Sequence, residues 1–123
     1  MLTDNLNEIL RHEGVAAIAT LGDEPHLVNT WNSYIELTDE HHLLIPVGGM
    51  HQTQSNIAVN PKVLLTVGTR EVTGKQGHPG VGFLITGTAE FLSSGDDFDR
   101  VKAKFGWVRA ALKITVGGVT QTL

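Results

Sequence analysis

Trp107-Val108-Arg109-Ala110-Ala111-Leu112-Lys113-Ile114-Thr115-Val116 alternates residue by residue. Val108, Ala110, Leu112, Ile114 and Val116 share one face of an extended chain. Trp107, Arg109, Ala111, Lys113 and Thr115 share the other. Successive side chains of a strand point to opposite faces, so this stretch is expected to be a strand with one face in a core. Upstream, residues 81–92 read as a long strand and residues 63–67 as another. Val15 to Thr20, Leu27 to Ile35 and Leu43 to Val47 complete a set of about six.

The segments between them carry two or three short helices. Thr3 or Asp4 can cap a first helix that presents Leu6, Ile9 and Leu10, with Gly14 as its stop. A second opens near Thr53, behind Gly48-Gly49, and stops at Asn60-Pro61. A third follows Ser94, where Asp97 three residues on resembles a capping box, and turns Phe98, Val101 and Phe105 inward. Arg70 to Gly80, with three glycines and a proline before its last residue, reads as a loop, and Gly117-Gly118 loosens the chain near its end. Strands follow one another directly more often than they alternate with long helices. That favours a mainly β fold, a six-stranded antiparallel sheet closing into a small barrel, over a doubly wound parallel sheet. Closure also removes exposed strand edges. One domain over residues 1–123 is expected, since surface scaling buries roughly two-thirds of a chain this long.

Composition removes several function classes. With no cysteine there is no thiol catalysis, disulfide framework or zinc–thiolate site. Nine basic against thirteen acidic residues give a formal charge of −4, with no basic run. Neither nucleic acid nor an anionic membrane is an expected partner. The start of the chain shows no basic region followed by an apolar run, and a cytoplasmic location is expected. Gly68 to Lys75 imitates a phosphate loop but has one residue too many and Gln76 where Ser or Thr should follow. His41 and His42 are adjacent, so a strand would aim them at opposite faces. Neither a metal site nor a catalytic acid/base set is assigned. Asp96, Asp97 and Asp99 suit a helix N-terminus.

Two stretches suit a ligand. Gly48-Gly49 joins an apolar strand to a helix, where backbone N–H groups and the helix end favour an anion, with the Thr53 and Ser55 hydroxyls as further donors; a tight turn followed by a capping Thr accounts for the same pattern. Val28-Asn29-Thr30-Trp31-Asn32-Ser33-Tyr34 mixes directional polar groups with Trp and Tyr. A flat heteroaromatic ligand needs both, although an exposed sheet face with two anchoring aromatics reads the same way.

Taken in order, these stretches resemble the small FMN-binding proteins of the flavin split-barrel superfamily, relatives of pyridoxamine 5′-phosphate oxidase. The resemblance rests on residues 14–20, His26 to Tyr34, Pro46 to His51, Gly82 to Ile85, Arg109 to Leu112 and the Gln121-Thr122-Leu123 end. It implies a six-stranded antiparallel split barrel, a homodimer and one non-covalent FMN per subunit at the interface. Val28, Asn29, Thr30, Trp31 and Asn32 would then lie along the flavin. Pro46, Val47, Gly48 and Gly49 would meet its ring through backbone groups, and Gln52 and Thr53 would hold its phosphate. Trp107 would lie beside the ring system, and Leu123 would reach across from the other subunit. Gln52 stands where the resemblance implies a Lys after the loop His. A neutral hydrogen bond there in place of a charge-assisted one weakens FMN binding by about tenfold unless other donors compensate. A redox flavoprotein passing electrons between protein partners is the leading expectation. A flavin reductase or small-molecule oxidoreductase using NAD(P)H, and a non-catalytic FMN-binding or storage module, are the alternatives.

Overall fold

A computed structural model describes residues 2–123. The chain runs α1 (Leu2–Leu10), β1 (Val15–Leu21), β2 (Pro25–Trp31), a 3₁₀ turn (Asn32–Tyr34), β3 (Glu36–Leu37) and β4 (His42–Val47). It continues as α2 (His51–Val59), β5 (Lys62–Thr73), a second 3₁₀ turn (Lys75–Gly77), β6 (Pro79–Leu92), α3 (Asp96–Lys104) and β7 (Ala110–Gln121). All pairings are antiparallel, in the order β2-β1-β5-β6-β7-β4-β3.

The mainly β, split-barrel expectation holds, with two corrections. There are seven strands rather than six, because the two-residue β3 pairs Glu36 with Leu44 and Leu37 with Leu43. The sheet is also not closed, since its terminal strands β2 and β3 do not pair with each other. The strand expected over residues 27–35 breaks at Asn32. Asn32 is fully buried, and its Nδ2 donates to the carbonyls of His12 (3.1 Å) and Gly68 (2.8 Å). Its backbone N–H donates to Gly14 O at 2.9 Å. These bonds take the chain out of the ladder at Trp31.

The core follows the alternation. Ala16 and Ile18 of β1, Val63, Leu65 and Val67 of β5, and Leu112 and Ile114 of β7 are buried together, with Leu6 and Ile9 of α1 against them. A smaller cluster forms on the opposite face of β7, where Ala111 meets Leu44, Val101 and Val108 beneath Phe98 and Phe105. The inward face expected of α3 is therefore present.

Local boundaries differ where tertiary contacts override turn signals. Arg70 to Gly80 is mostly strand and 3₁₀ turn, because β5 and β6 pair as far as Thr73 and Pro79. The same pairing puts the phosphate-loop look-alike in a ladder. β7 begins at Ala110, not Trp107, and continues through Gly117-Gly118 with a register shift opposite Thr86 and Gly87. The N-cap of α3 is Gly95 and no side chain caps it, so the Ser94–Asp97 box does not form; Asp97 instead accepts from Lys113 Nζ at 2.7 Å. α1 already starts at Leu2, which leaves Asp4 inside its first turn, while the Thr3 side chain lies outside the described residues. Gly14 lies beyond the end of α1 and serves packing instead: a Cβ there would stand 2.6 Å from Gly68 O and 2.9 Å from Asn32 Nδ2.

Candidate functional site

β2, the end of β4 and the loop between α3 and β7 converge on a cleft of about 450 Å³. That volume lies within the range of small-molecule sites. Val28, Asn29, Thr30 and Trp31 form one wall. Pro46, Gly48, Gly49 and Met50 line the cleft too, with Tyr34 and Trp107. The cleft mixes apolar surface with amide and hydroxyl groups, as a flat ligand with a polar edge requires.

Both tryptophans keep about half their surface open, 45% for Trp31 and 54% for Trp107. Large aromatic side chains are otherwise strongly drawn to the interior. Trp107 is held in place from two sides. Its ring packs in a cluster with Tyr34 and Phe105, at centroid separations of 5.9 and 5.8 Å. Beneath it lies Gly48, where a Cβ would stand 3.2 Å from the ring. Gly48 is thus a seat for the indole. Lys102 Nζ donates to Gly106 O at 2.5 Å and steadies the loop that carries Trp107.

The turn into α2 has an unusual hydrogen-bond balance. Its left-handed residue is Met50 (φ 60°, ψ 36°), not either glycine. For a residue with a Cβ that conformation costs about 1–2 kcal/mol. No side chain caps α2, and its first backbone bond runs from Gln54 N to Met50 O at 2.9 Å. Among the described residues none accepts a hydrogen bond from the N–H groups of residues 48–53. The first N–H groups of a helix have no intrahelical acceptor, and here they meet the positive end of its dipole. Thr53 is fully buried beside them, and its Oγ1 has no partner. A buried hydroxyl without a partner is costly and points to a group that completes it.

The structure brings Val28, Asn29, Thr30, Trp31, Pro46, Gly48, Gly49 and Trp107 to this one cleft. Val47 is wholly buried behind it. The Asn32 Nδ2 is spent on the backbone bonds described above, while its Oδ1, like Thr53 Oγ1, is buried without a partner. Gln52 Nε2 donates to Asn56 Oδ1 at 2.9 Å, and Asn56 Nδ2 in turn to Thr20 Oγ1 at 3.1 Å, so its amide is engaged along the helix. Leu123 lines a second, larger cleft of about 790 Å³ with Gly68, Arg70, His78 and Gly80, which shares Val15 with the first. On its rim the Glu13 carboxylate accepts from Ser33 Oγ at 2.7 Å and from Gly14 N at 3.2 Å. The Ser33 bond above all holds that carboxyl below its ordinary value.

Three residues escaped the sequence reading. Tyr34 and Met50 line the cleft, and Arg109 grips the glycine turn from outside it. Tyr34 stood inside the quoted aromatic stretch but beyond the residues assigned to a ligand. Arg109 had only its place on the outward face of an expected strand. Nothing in that pattern says where a long side chain turns.

The pyridoxamine 5′-phosphate oxidase family profile matches residues 2–120. An FMN-binding protein of Nitratidesulfovibrio vulgaris (strain DSM 19637 / Miyazaki F) is 52% identical over 124 residues, covering 100% of both chains. Among solved structures, HupZ of Group A Streptococcus superposes with a TM-score of 0.79 at 21% identity, over 99% of this chain and 100% of that one. An FMN-binding protein from Syntrophomonas wolfei subsp. wolfei does so with 0.74 at 13% identity, over 99% and 89%. The two structures share the fold, and the profile and the relative reach further: the chain belongs to the pyridoxamine 5′-phosphate oxidase family.

Proposed function

We propose that this chain binds FMN non-covalently in the cleft between Trp31 and Trp107, as one half of a homodimer, and acts as a redox flavoprotein that passes electrons between protein partners. The observation that carries the reading is the meeting, in one cleft, of two half-exposed tryptophans with a turn whose N–H groups have no protein acceptor. The relative that is 52% identical along its whole length is named for binding FMN.

The residues fit such a group. Trp31 and Trp107 offer flat apolar surface to a tricyclic ring. Asn29 and Thr30 offer directional partners to a polar edge. The free N–H groups of residues 48–53 and the orphaned Thr53 hydroxyl suit a phosphate at a helix N-terminus. When bound, FMN supplies reversible one- and two-electron chemistry, while the protein sets position, polarity and access. The chain's own residues then hold the ring against bulk water and fix the phosphate. No residue is assigned an acid or base role.

The outer face of β1, β2 and β5 supports the homodimer reading. Val15 pairs across the ladder with Trp31, and Ala19 with both Leu27 and Leu64. Val15, Leu27 and Leu64 are 53%, 67% and 40% exposed. Large apolar side chains left exposed on one sheet face, here on either side of the Asn29–Ala17–Thr66 row, suit an interaction surface. Leu123, 63% exposed, is free in this chain to meet a second copy.

The visible spectrum of the purified protein is the first test. A yellow protein that releases FMN on denaturation is expected. A colourless protein in whose presence added FMN keeps its full fluorescence overturns the reading. Sedimentation of the FMN-bound protein at micromolar concentration is expected to give a dimer, and a monomer refutes that part. Fast, saturable turnover of one small substrate with NAD(P)H would replace electron carriage by an oxidoreductase role.

A further inference from the structure

The turn between β4 and α2 is not shaped by its glycines, because its left-handed residue is Met50. The shaping force comes from across the sheet. Arg109 Nε donates to Gly48 O (3.0 Å) and Gly49 O (3.2 Å), Nη2 to Gly49 O (2.5 Å) and Nη1 to Gln54 Oε1 (2.8 Å). Its backbone N–H donates to Val47 O at 2.9 Å. One residue therefore ties together the end of β4, two successive carbonyls of the turn and the first turn of α2.

In a planar trans peptide the C=O and the N–H point in opposite directions. Drawing the carbonyls of Gly48 and Gly49 onto one guanidinium therefore aims the N–H groups of Gly49 and Met50 away from it. The capture also removes two carbonyl dipoles that would otherwise be free to turn toward an anion. A planar fork with fixed donors does this, and a lone ammonium on a flexible stem does not.

We propose that Arg109 is a positioning residue for a phosphate monoester, one that presets the turn of residues 48–53 before the ligand arrives. The inference rests on the FMN reading above. It adds that selectivity for the phosphorylated flavin comes from a guanidinium fork outside the cleft. This explains how a chain with Gln52 beside its glycine turn still offers an ordered anion site: the donors are backbone groups, and Arg109 orders them.

The test compares FMN with riboflavin, which lacks the phosphate, on wild-type protein, Arg109→Met and Arg109→Lys. Wild type is expected to prefer FMN by about tenfold or more, a preference that collapses in Arg109→Met while riboflavin affinity stays within about threefold. Arg109→Lys keeps the charge and is expected to lose the preference too. If the Lys variant retains it, the role is one of charge and the positioning claim fails. If Arg109→Met weakens both flavins equally, Arg109 supports the cleft walls and the claim also fails. A second readout needs no flavin. In the ligand-free protein Arg109→Met is expected to shift the amide resonances of residues 48–54 and to speed exchange at Gln54 N–H by about tenfold, with Leu65 and Leu112 unmoved. An unchanged turn in that measurement overturns the proposal by itself. Wild type that binds neither flavin sinks the FMN reading alone, and the ligand-free measurement still decides the part Arg109 plays.

Discussion

The ladder between β5 and β6 and the turn between β4 and α2 handle the same backbone chemistry in opposite ways. From Lys62 opposite Thr88 to Thr69 opposite Val81, the ladder pairs residue with residue, and Val63, Leu65 and Val67 are buried on its inner face. In the turn, the N–H groups of residues 48–53 meet no acceptor among the described residues, a buried hydroxyl has no partner, and a tryptophan lies half in solvent above them. The ladder is complete within one chain. The turn leaves donors without a protein partner, as the start of a helix does.

The contrast breaks most visibly if the two regions respond alike to truncation. Leu65→Ala removes a fully buried side chain of the ladder and is expected to cost about 2–5 kcal/mol in denaturant unfolding. A loss under about 1 kcal/mol would mean that the core tolerates voids. Trp31→Ala should do the reverse, leaving folding stability nearly intact while weakening FMN binding by about 1–3 kcal/mol through lost stacking. An unchanged FMN dissociation constant removes Trp31 from the wall. Thr53→Val sharpens the comparison within the turn itself. Replacing an unpartnered buried hydroxyl by a methyl is expected to stabilise the ligand-free protein by about 1 kcal/mol and to weaken FMN binding by a similar amount. If both quantities fall together, the hydroxyl serves the fold and not the ligand.

The smallest expected effect concerns α3, which carries the loop with Trp107. Arg100 and Lys104 both donate to Glu36, and the Arg100 bond above all holds the Glu36 carboxyl below its ordinary range. A carboxyl whose folded value is depressed contributes stability above its unfolded value and loses that contribution as pH falls through the depressed one. Glu36→Gln is therefore expected to cost about 0.5 kcal/mol at neutral pH, as a largely solvent-exposed network does. The difference from wild type should vanish in acid. A difference that persists below the carboxylate range assigns the effect to packing.

The strands were legible because burial imposes a two-residue period, as in Leu112 and Ile114 or Ala16 and Ile18. The cleft was legible in part, because Trp31 beside Asn29 and Thr30 is a poor composition for a core. What escaped was set by partners distant in sequence. Asn32 read as one more strand residue, and two carbonyls from other elements made it a break. Ser94 read as a cap, and the helix began one residue later without it. Arg109 read as an outward strand residue, and its guanidinium closed on Gly48 and Gly49, sixty-one and sixty positions earlier.

By itself the sequence determined the class of this protein: strand-rich, without cysteine, mildly acidic, with a glycine turn and a polar stretch carrying Trp31 and Tyr34 that is odd for a core. Periodicity and composition are local properties, and local properties suffice for that. Only the tertiary structure decided that β2 and β3 stay apart, that Trp107 rests on Gly48, and that an arginine outside the cleft binds the carbonyls of its glycine turn. Each of these is an agreement in space between groups far apart along the chain, and nothing in the nearest neighbours of either group records it.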